Sequence, residues 1–252
     1  LRDKDFAEYD DDELRLAQQL MTRLRLAGPP RVSFRMSPTR RGSRPDLRRT
    51  LRLARRTGGE AIRFARRAPR IKPRRLVVLC DISGSMEPYA RALLMLLYVL
   101  NAGQPRNAQN RPEVFSFATR LTRLTPALAA ASPDTMLAKA GEAAPDWSGG
   151  TRIGAAVKEF NDHYGSRGMA RGAVVLIISD GWETGDPALL GAQMARLHRV
   201  AHRIVWANPR TQSPRYRPEV GGMAAAWPYC DAVVSAHNLD SLDDLLSALR
   251  DR

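Results

Sequence analysis

Apolar residues run without a break from Leu76 to Cys80, stop at Asp81, and resume in a dense stretch from Met86 to Leu100. The first run has the length of a buried strand and the second the length of a buried helix. The alternation then continues. Glu113 to Ala118 reads as a strand, joined through Thr119-Arg120 to Leu121 to Thr125 as an antiparallel pair. A helix follows near Asp134 to Ala144, and another after Thr151, with Ile153, Ala156, Val157 and Phe160 at helical spacing. Ala173 to Ile178 predicts a strand, Pro187 to Val200 a helix, His202 to Ala207 and Ala232 to Ser235 two more strands, and Ser241 to Leu249 a closing helix. Strand and helix in alternation imply an α/β fold with a mostly parallel, Rossmann-like sheet flanked by helices and carrying one antiparallel edge strand.

Before residue 74 the pattern changes. Residues 10–27 predict a helix, with an acidic entry at Asp10 to Glu13, apolar Leu14, Ala17, Leu20, Met21 and Leu24, and Gly28-Pro29-Pro30 as the stop. Arg31 to Pro45, broken by Pro38, Gly42 and Pro45, predicts an extended or loosely ordered arm. Asp46 to Thr57 and Glu60 to Arg67 predict two basic helices with thin apolar stripes, Leu47, Leu51 and Ala54 in one and Ala61, Phe64 and Ala65 in the other. The expected organisation is a basic, arginine-rich segment, helical and extended, over residues 1–73 and an α/β domain over 74–252.

The candidate chemistry lies where apolar runs end. Asp81-Ile82-Ser83-Gly84-Ser85 sets one carboxylate and two hydroxyls on alternate residues between a strand and a helix, at the crevice where open α/β sheets bind ligands. Oxygen groups alone suit a hard cation; magnesium keeps several waters and takes one or two carboxylates from a protein. Ser148-Gly149-Gly150-Thr151 opens the next helical pattern, and Asp180-Gly181 ends the run Ala173 to Ile178. Thr151 and Asp180 can therefore join the first loop. Taken singly, Ser83, Ser85 and Thr151 read equally well as helix caps, and Asp180-Gly181 as a turn.

Two enzymatic patterns fit less well. A haloacid-dehalogenase-like phosphatase wants a second carboxylate where this chain has Ser83, and a nucleophile elbow around Ser85 wants glycines where it has Ser83 and Glu87. The chain also has no Gly-x-x-x-x-Gly-Lys-Ser/Thr phosphate loop, so no ATP hydrolysis is expected of it.

Charge divides the chain further. The net charge is +14, yet residues 76–252 carry 18 basic and 17 acidic side chains, against 22 and 9 in residues 1–75. Residues 31–75 alone hold 17 basic and 2 acidic residues, nearly all the basic ones arginine, which favours bidentate contacts with carboxylates or phosphates. An acidic protein surface is the expected counterpart, with nucleic acid as the alternative. Aromatic interleaving is sparse, since Phe34 and Phe64 are the only aromatic residues there. No apolar run approaches the ~20 residues of a membrane-spanning helix. Leu1 to Asp5 is not a signal peptide, and Cys80 and Cys230 make neither a disulfide framework nor a metal spacing. A reduced, cytoplasmic protein is expected.

The order Asp-x-Ser-x-Ser, Gly-Gly-Thr, Ser-Asp-Gly resembles the metal-ion-dependent adhesion site of von Willebrand factor A domains. Arg74 to Met86, with Trp206-Ala207-Asn208-Pro209, Tyr216-Arg217-Pro218, Gly222-Met223 and Pro228-Tyr229-Cys230-Asp231, resembles the CoxE-like proteins among them. That resemblance implies Mg2+ or Mn2+ held by Asp81, Ser83, Ser85, Thr151 and Asp180, with a partner's acidic side chain filling the last position. It further implies a non-enzymatic adaptor working with a MoxR-type AAA+ ATPase. The implied task is maturation or metal-cofactor assembly of a molybdenum hydroxylase such as carbon monoxide dehydrogenase. A metal-chelatase-type subunit is a further alternative, which the signature between Asn208 and Asp231 disfavours.

Overall fold

The computed structural model describes residues 2–22, 29–60, 63–102, 111–130, 132–143, 150–211 and 221–251. A 3-10 turn (Phe6–Glu8) and α1 (Asp11–Met21) precede three strands, β1 (Pro30–Thr39), β2 (Arg44–Pro45) and β3 (Arg66–Pro73), with α2 (Leu47–Ala54) between the last two. Next come β4 (Leu76–Asp81), α3 (Glu87–Ala102), β5 (Glu113–Phe117), β6 (Leu121–Arg123), α4 (Pro133–Ala143) and α5 (Ile153–Phe160). The chain continues through β7 (Val174–Ile178), α6 (Pro187–His198), β8 (Arg203–Ala207), α7 (Gly221–Ala226), β9 (Ala232–Val234) and α8 (Leu239–Arg250).

The larger sheet has the order β6-β5-β4-β7-β8-β9. Every neighbouring pair is parallel except β5 with β6, the expected antiparallel edge. β4 is buried along its whole length because its two faces serve two cores. Val78 and Cys80 join the core that takes in residues of α1, α3, α4 and α8. Val77 and Leu79 join the one that takes in residues of α5, α6 and α7. A strand covered on both faces has no polar alternation to show, which is why it reads as an unbroken apolar run.

The chain divides into two compact units, residues 30–73 and the remainder. This corrects the expectation of one N-terminal segment over residues 1–73. Phe6, Ala17 and Met21 are buried in the core shared with α3, and the Phe6 N–H donates to the His237 carbonyl at 2.7 Å. The first 29 residues therefore belong with the α/β domain. α1 starts as expected, with Asp10 and Glu13 forming a reciprocal capping box; residues 23–27 of the expected helix lie outside the described residues.

The 30–73 unit is less helical than its sequence suggests. β1 lies antiparallel to β3, with Val32 opposite Ile71 and an irregularity between Val32 and Met36. Within Arg31 to Pro45 the chain is thus extended in ladders with β3 up to Thr39 and again at Arg44–Pro45, and not a loose arm. The helix expected over Glu60 to Arg67 does not form: Arg66 and Arg67 already belong to β3. Pro69 biases the residue before it towards extended backbone, and pairing with β1 outweighs a thin apolar stripe. Ala61 lies outside the described residues. α2 forms as expected, capped by Asp46 and tied at Thr50 Oγ1 by the Ala65 N–H at 2.9 Å.

Close packing of α5 on α6 depends on Gly154, where a Cβ would stand 2.9 Å from the Leu190 nitrogen. Gly154→Ala should cost ~1–3 kcal/mol by overpacking. Urea unfolding checks this; an unchanged midpoint would show that the helices part without cost.

Candidate metal centre

Asp81 is the last residue of β4, beside Phe117 of β5, and Cys80 stands opposite Ile178 of β7. From β4 the connections leave in opposite directions, to β5 on one side and, later, β7 on the other. Loops diverge there and leave a crevice at the carboxyl ends of the strands.

A chain of oxygen atoms lines this point. The Ser83 N–H donates to Asp81 Oδ1 at 2.9 Å, and the Ser179 hydroxyl donates to Oδ2 at 2.8 Å. Ser83 and Ser85 hydroxyls stand 3.4 Å apart, and the Ser85 hydroxyl donates to Asp180 Oδ2 at 3.1 Å. Asp180 Oδ1 accepts the Trp182 N–H at 3.1 Å, and Arg210 Nε lies 3.6 Å from Oδ2. Asp81, Ser83, Ser85 and Asp180 are thus one hydrogen-bonded cluster.

Thr151 reaches the same strand ends by its backbone. The Arg152 N–H donates to the Ala118 carbonyl at 3.2 Å, while Ile82 donates to the adjacent Phe117 carbonyl at 3.0 Å, so two loops hang from the end of β5. The Thr184 hydroxyl and N–H both donate to the Thr151 carbonyl, at 2.7 and 3.0 Å. Thr151 is 5% exposed, and among the described residues its hydroxyl takes part in no hydrogen bond. Residues 148 and 149 of the Gly-Gly-Thr loop lie outside the described residues.

The fit is to a hard cation. Among the described residues no group of three or more His, Cys, Asp or Glu side chains is arranged to hold a metal. What is present is two carboxylates and three neutral hydroxyls, a set that matches an ion retaining part of its water. Burial pushes the Asp81 carboxyl up to about 6, against the donors at Ser83 and Ser179 that favour its charge, and Asp180 pushes the same way as burial.

Three supporting residues were not among the candidate ligands. Ser179 is fully buried and its carbonyl accepts the Trp206 indole N–H at 2.8 Å. Asn208 is fully buried and donates to the Asp180 carbonyl at 3.1 Å. Glu183 accepts the Gly154 N–H at 2.6 Å, joining the Asp180 loop to the start of α5. Ser179 could have been read from its place in Ser-Asp-Gly; Asn208 and Glu183 depend on tertiary pairing.

A mostly parallel six-stranded sheet with one antiparallel edge and helices on both faces is the fold of von Willebrand factor A domains. The chain belongs to the family described as VWA domain containing CoxE-like protein, whose model matches residues 16–242. Similar solved structures include an aerotolerance-related membrane protein from Bacteroides fragilis, at 16% identity over 69% of this chain and 98% of that one, TM-score 0.43. Another is the manganese-loaded TRAP protein of Plasmodium vivax, at 19% identity over 70% of this chain and 72% of that one, TM-score 0.47. A third is proximal thread matrix protein 1 from the mussel byssus, with a zinc-occupied MIDAS motif, at 16% identity over 70% of this chain and 46% of that one, TM-score 0.46. Comparison with curated proteins returns no match. Among the described residues no helix is long and apolar enough to cross a membrane.

The raised Asp81 pKa makes a prediction about the protein free of divalent ions. The folded state holds this proton more tightly than the unfolded chain, so the contribution to stability is full below about pH 4 and is lost as pH rises through about 6. Above that, a buried charge costs on the order of 2–3 kcal/mol. Asp81→Asn should therefore be the more stable protein in EDTA at pH 7.5, with the difference vanishing near pH 4. Urea titrations across this range test it; a mutant less stable at pH 7.5 would contradict the sign.

Proposed function

We propose that the chain is a non-enzymatic, metal-dependent adaptor. Asp81, Ser83, Ser85, Thr151 and Asp180 would hold Mg2+ or Mn2+, and an acidic side chain of a partner protein would complete the coordination. The observation that carries this reading is the hydrogen-bonded cluster running from Asp81 through Ser83 and Ser85 to Asp180. When bound, the ion supplies a Lewis-acidic anchor for a carboxylate. Ser83, Ser85 and Thr151 contribute neutral oxygens, while Asp81 and Asp180 contribute the charge. Two carboxylates and three neutral hydroxyls leave part of the coordination to water, so the ion binds weakly until a partner's carboxylate takes such a position.

Family membership supports a MoxR-type AAA+ ATPase as one partner and a metalloenzyme as the other. The chain would couple the motor to maturation or metal-cofactor assembly of a molybdenum hydroxylase such as carbon monoxide dehydrogenase. Among the described residues the cluster offers no histidine as an acid–base relay, which supports this reading. Its hydrogen bonds join serines, carboxylates and backbone, and none involves a histidine. Asp81 is buried at the foot of the cluster, where it serves to hold a ligand set in place.

Calorimetric titration with Mn2+ should give weak binding that Asp81→Ala and Asp180→Ala each reduce by about tenfold or more, as loss of one of two anionic ligands requires. Unchanged affinity in both variants would remove the metal assignment. In the presence of Mg2+ the protein should not turn over p-nitrophenyl phosphate; turnover that Asp81→Asn abolishes would replace the adaptor with a phosphatase.

A further inference from the structure

Residues 30–73 carry an unusual surface. This unit has 15 basic side chains, 14 of them arginine, against Asp46 and Glu60 alone. It also holds the six most exposed large hydrophobic residues among those described: Val32, Phe34, Leu47, Leu51, Phe64 and Ile71, each at least 65% exposed. An ordinary solvated face scatters such residues singly; their concentration in one small basic unit marks an interaction surface.

Their placement follows the local structure. Val32 is opposite Ile71 in the β1–β3 register, so the two share one face of the sheet. Leu47 and Leu51 are one turn apart on α2, with Arg48, Arg52 and Arg55 alongside them in the helical repeat. Arg48, Arg49, Arg52 and Arg56 line an open cleft of about 530 Å³. Its one carboxylate, Asp46, is engaged in capping α2 by accepting the Arg49 N–H at 3.1 Å. Among the described residues none of these arginines forms an ion pair, so they are available to an external polyanion.

The apolar partners decide between classes of polyanion. Single-stranded nucleic acid stacks its bases on aromatic rings, but four of the six residues, Val32, Leu47, Leu51 and Ile71, are aliphatic and offer no ring. An acidic protein patch would satisfy the arginines and leave the aliphatic groups against charge. A bilayer with acidic headgroups offers both phases in a fixed order, phosphates above and acyl chains below, which suits arginines whose stems run along apolar surface. We propose that the Pro30–Pro73 unit is a docking surface for anionic lipid membranes, seated by its exposed apolar side chains and held by its arginines. The proposal is independent of the metal site.

The unit contains no tryptophan, so Phe34→Trp in the full chain places a reporter on its most exposed apolar residue. With phosphatidylcholine vesicles containing about 30 mol% phosphatidylglycerol, the variant should bind, show a blue shift beyond that of the parent protein, and be quenched by brominated acyl chains. Pure phosphatidylcholine vesicles should do none of this. Leu47→Ser with Leu51→Ser, both at exposed positions, should weaken binding about tenfold. Arg48→Gln with Arg52→Gln should weaken it and flatten its salt dependence. Asp81→Ala should leave vesicle binding intact, so that failure here and failure of the metal assignment are read separately. The proposal is overturned by absence of vesicle binding, by binding without blue shift and without sensitivity to the leucine changes, or by loss of binding in Asp81→Ala. Tighter binding to a single-stranded oligouridylate than to the vesicles would assign the surface to nucleic acid instead.

Discussion

The arrangement depends on one costly placement: a carboxylate at the end of a strand that is buried on both faces. Asp81 is fully buried, and burial alone would drive it to its neutral form. Two donors, the Ser83 N–H and the Ser179 hydroxyl, offset part of that cost and fix one orientation of the carboxylate. They do not remove it. The residual penalty gives the folded domain a standing preference for positive charge at this crevice, a preference absent from the unfolded chain, where the same group is solvated. A site of this kind is preorganised at the expense of stability, as functional sites commonly are.

Around that carboxylate, the loops are held by backbone bonds more than by the candidate ligands themselves. Ile82 and Arg152 hang from consecutive carbonyls at the end of β5. Thr184 clasps the Thr151 carbonyl, and Glu183 reaches the first turn of α5. Asn208, at the end of β8, holds the Asp180 carbonyl. The hydroxyls of Ser83 and Ser85 bond within the cluster, to each other and to Asp180, and among the described residues that of Thr151 takes part in no hydrogen bond. Side chains positioned by rigid strand ends, yet not themselves supporting the fold, can exchange a hydrogen bond for a ligand bond without unfolding their surroundings.

Much of this could be read from the order of residues because the α/β domain obeys simple periodicities. β4, β7 and β8 are covered on both faces, and each appears as a short apolar run closed by a polar residue at or just after its carboxyl end. The candidate site residues were legible for the same reason: Asp81 and Asp180 are the points where such runs stop. The supporting residues were less so, since Asn208 and Glu183 act on partners 28 and 29 residues away. The Glu60 to Arg67 segment misled because its apolar stripe is thin and its fate rests on pairing with β1, a non-local choice. Phe6 and Met21 misled for the opposite reason: charge composition grouped them with the arginines, whereas burial groups them with α3.

Charge composition and burial answer different physical questions, and residues 1–73 separate them. Burial is decided by short-range fit, so Ala17 and Met21 join the core although residues around them are strongly charged. Net charge acts over a Debye length and is indifferent to fit, so it says which surfaces attract which partners, not which segments pack together. In the 30–73 unit the two criteria diverge, because six of its large apolar groups stay outside while basic side chains far outnumber acidic ones. A folded unit with exposed apolar groups among an excess of cations has surface chemistry suited to an external partner. The α/β domain differs in that respect: its near-neutral sequence buries most of its large apolar groups, and an oxygen-lined crevice stands at its strand ends.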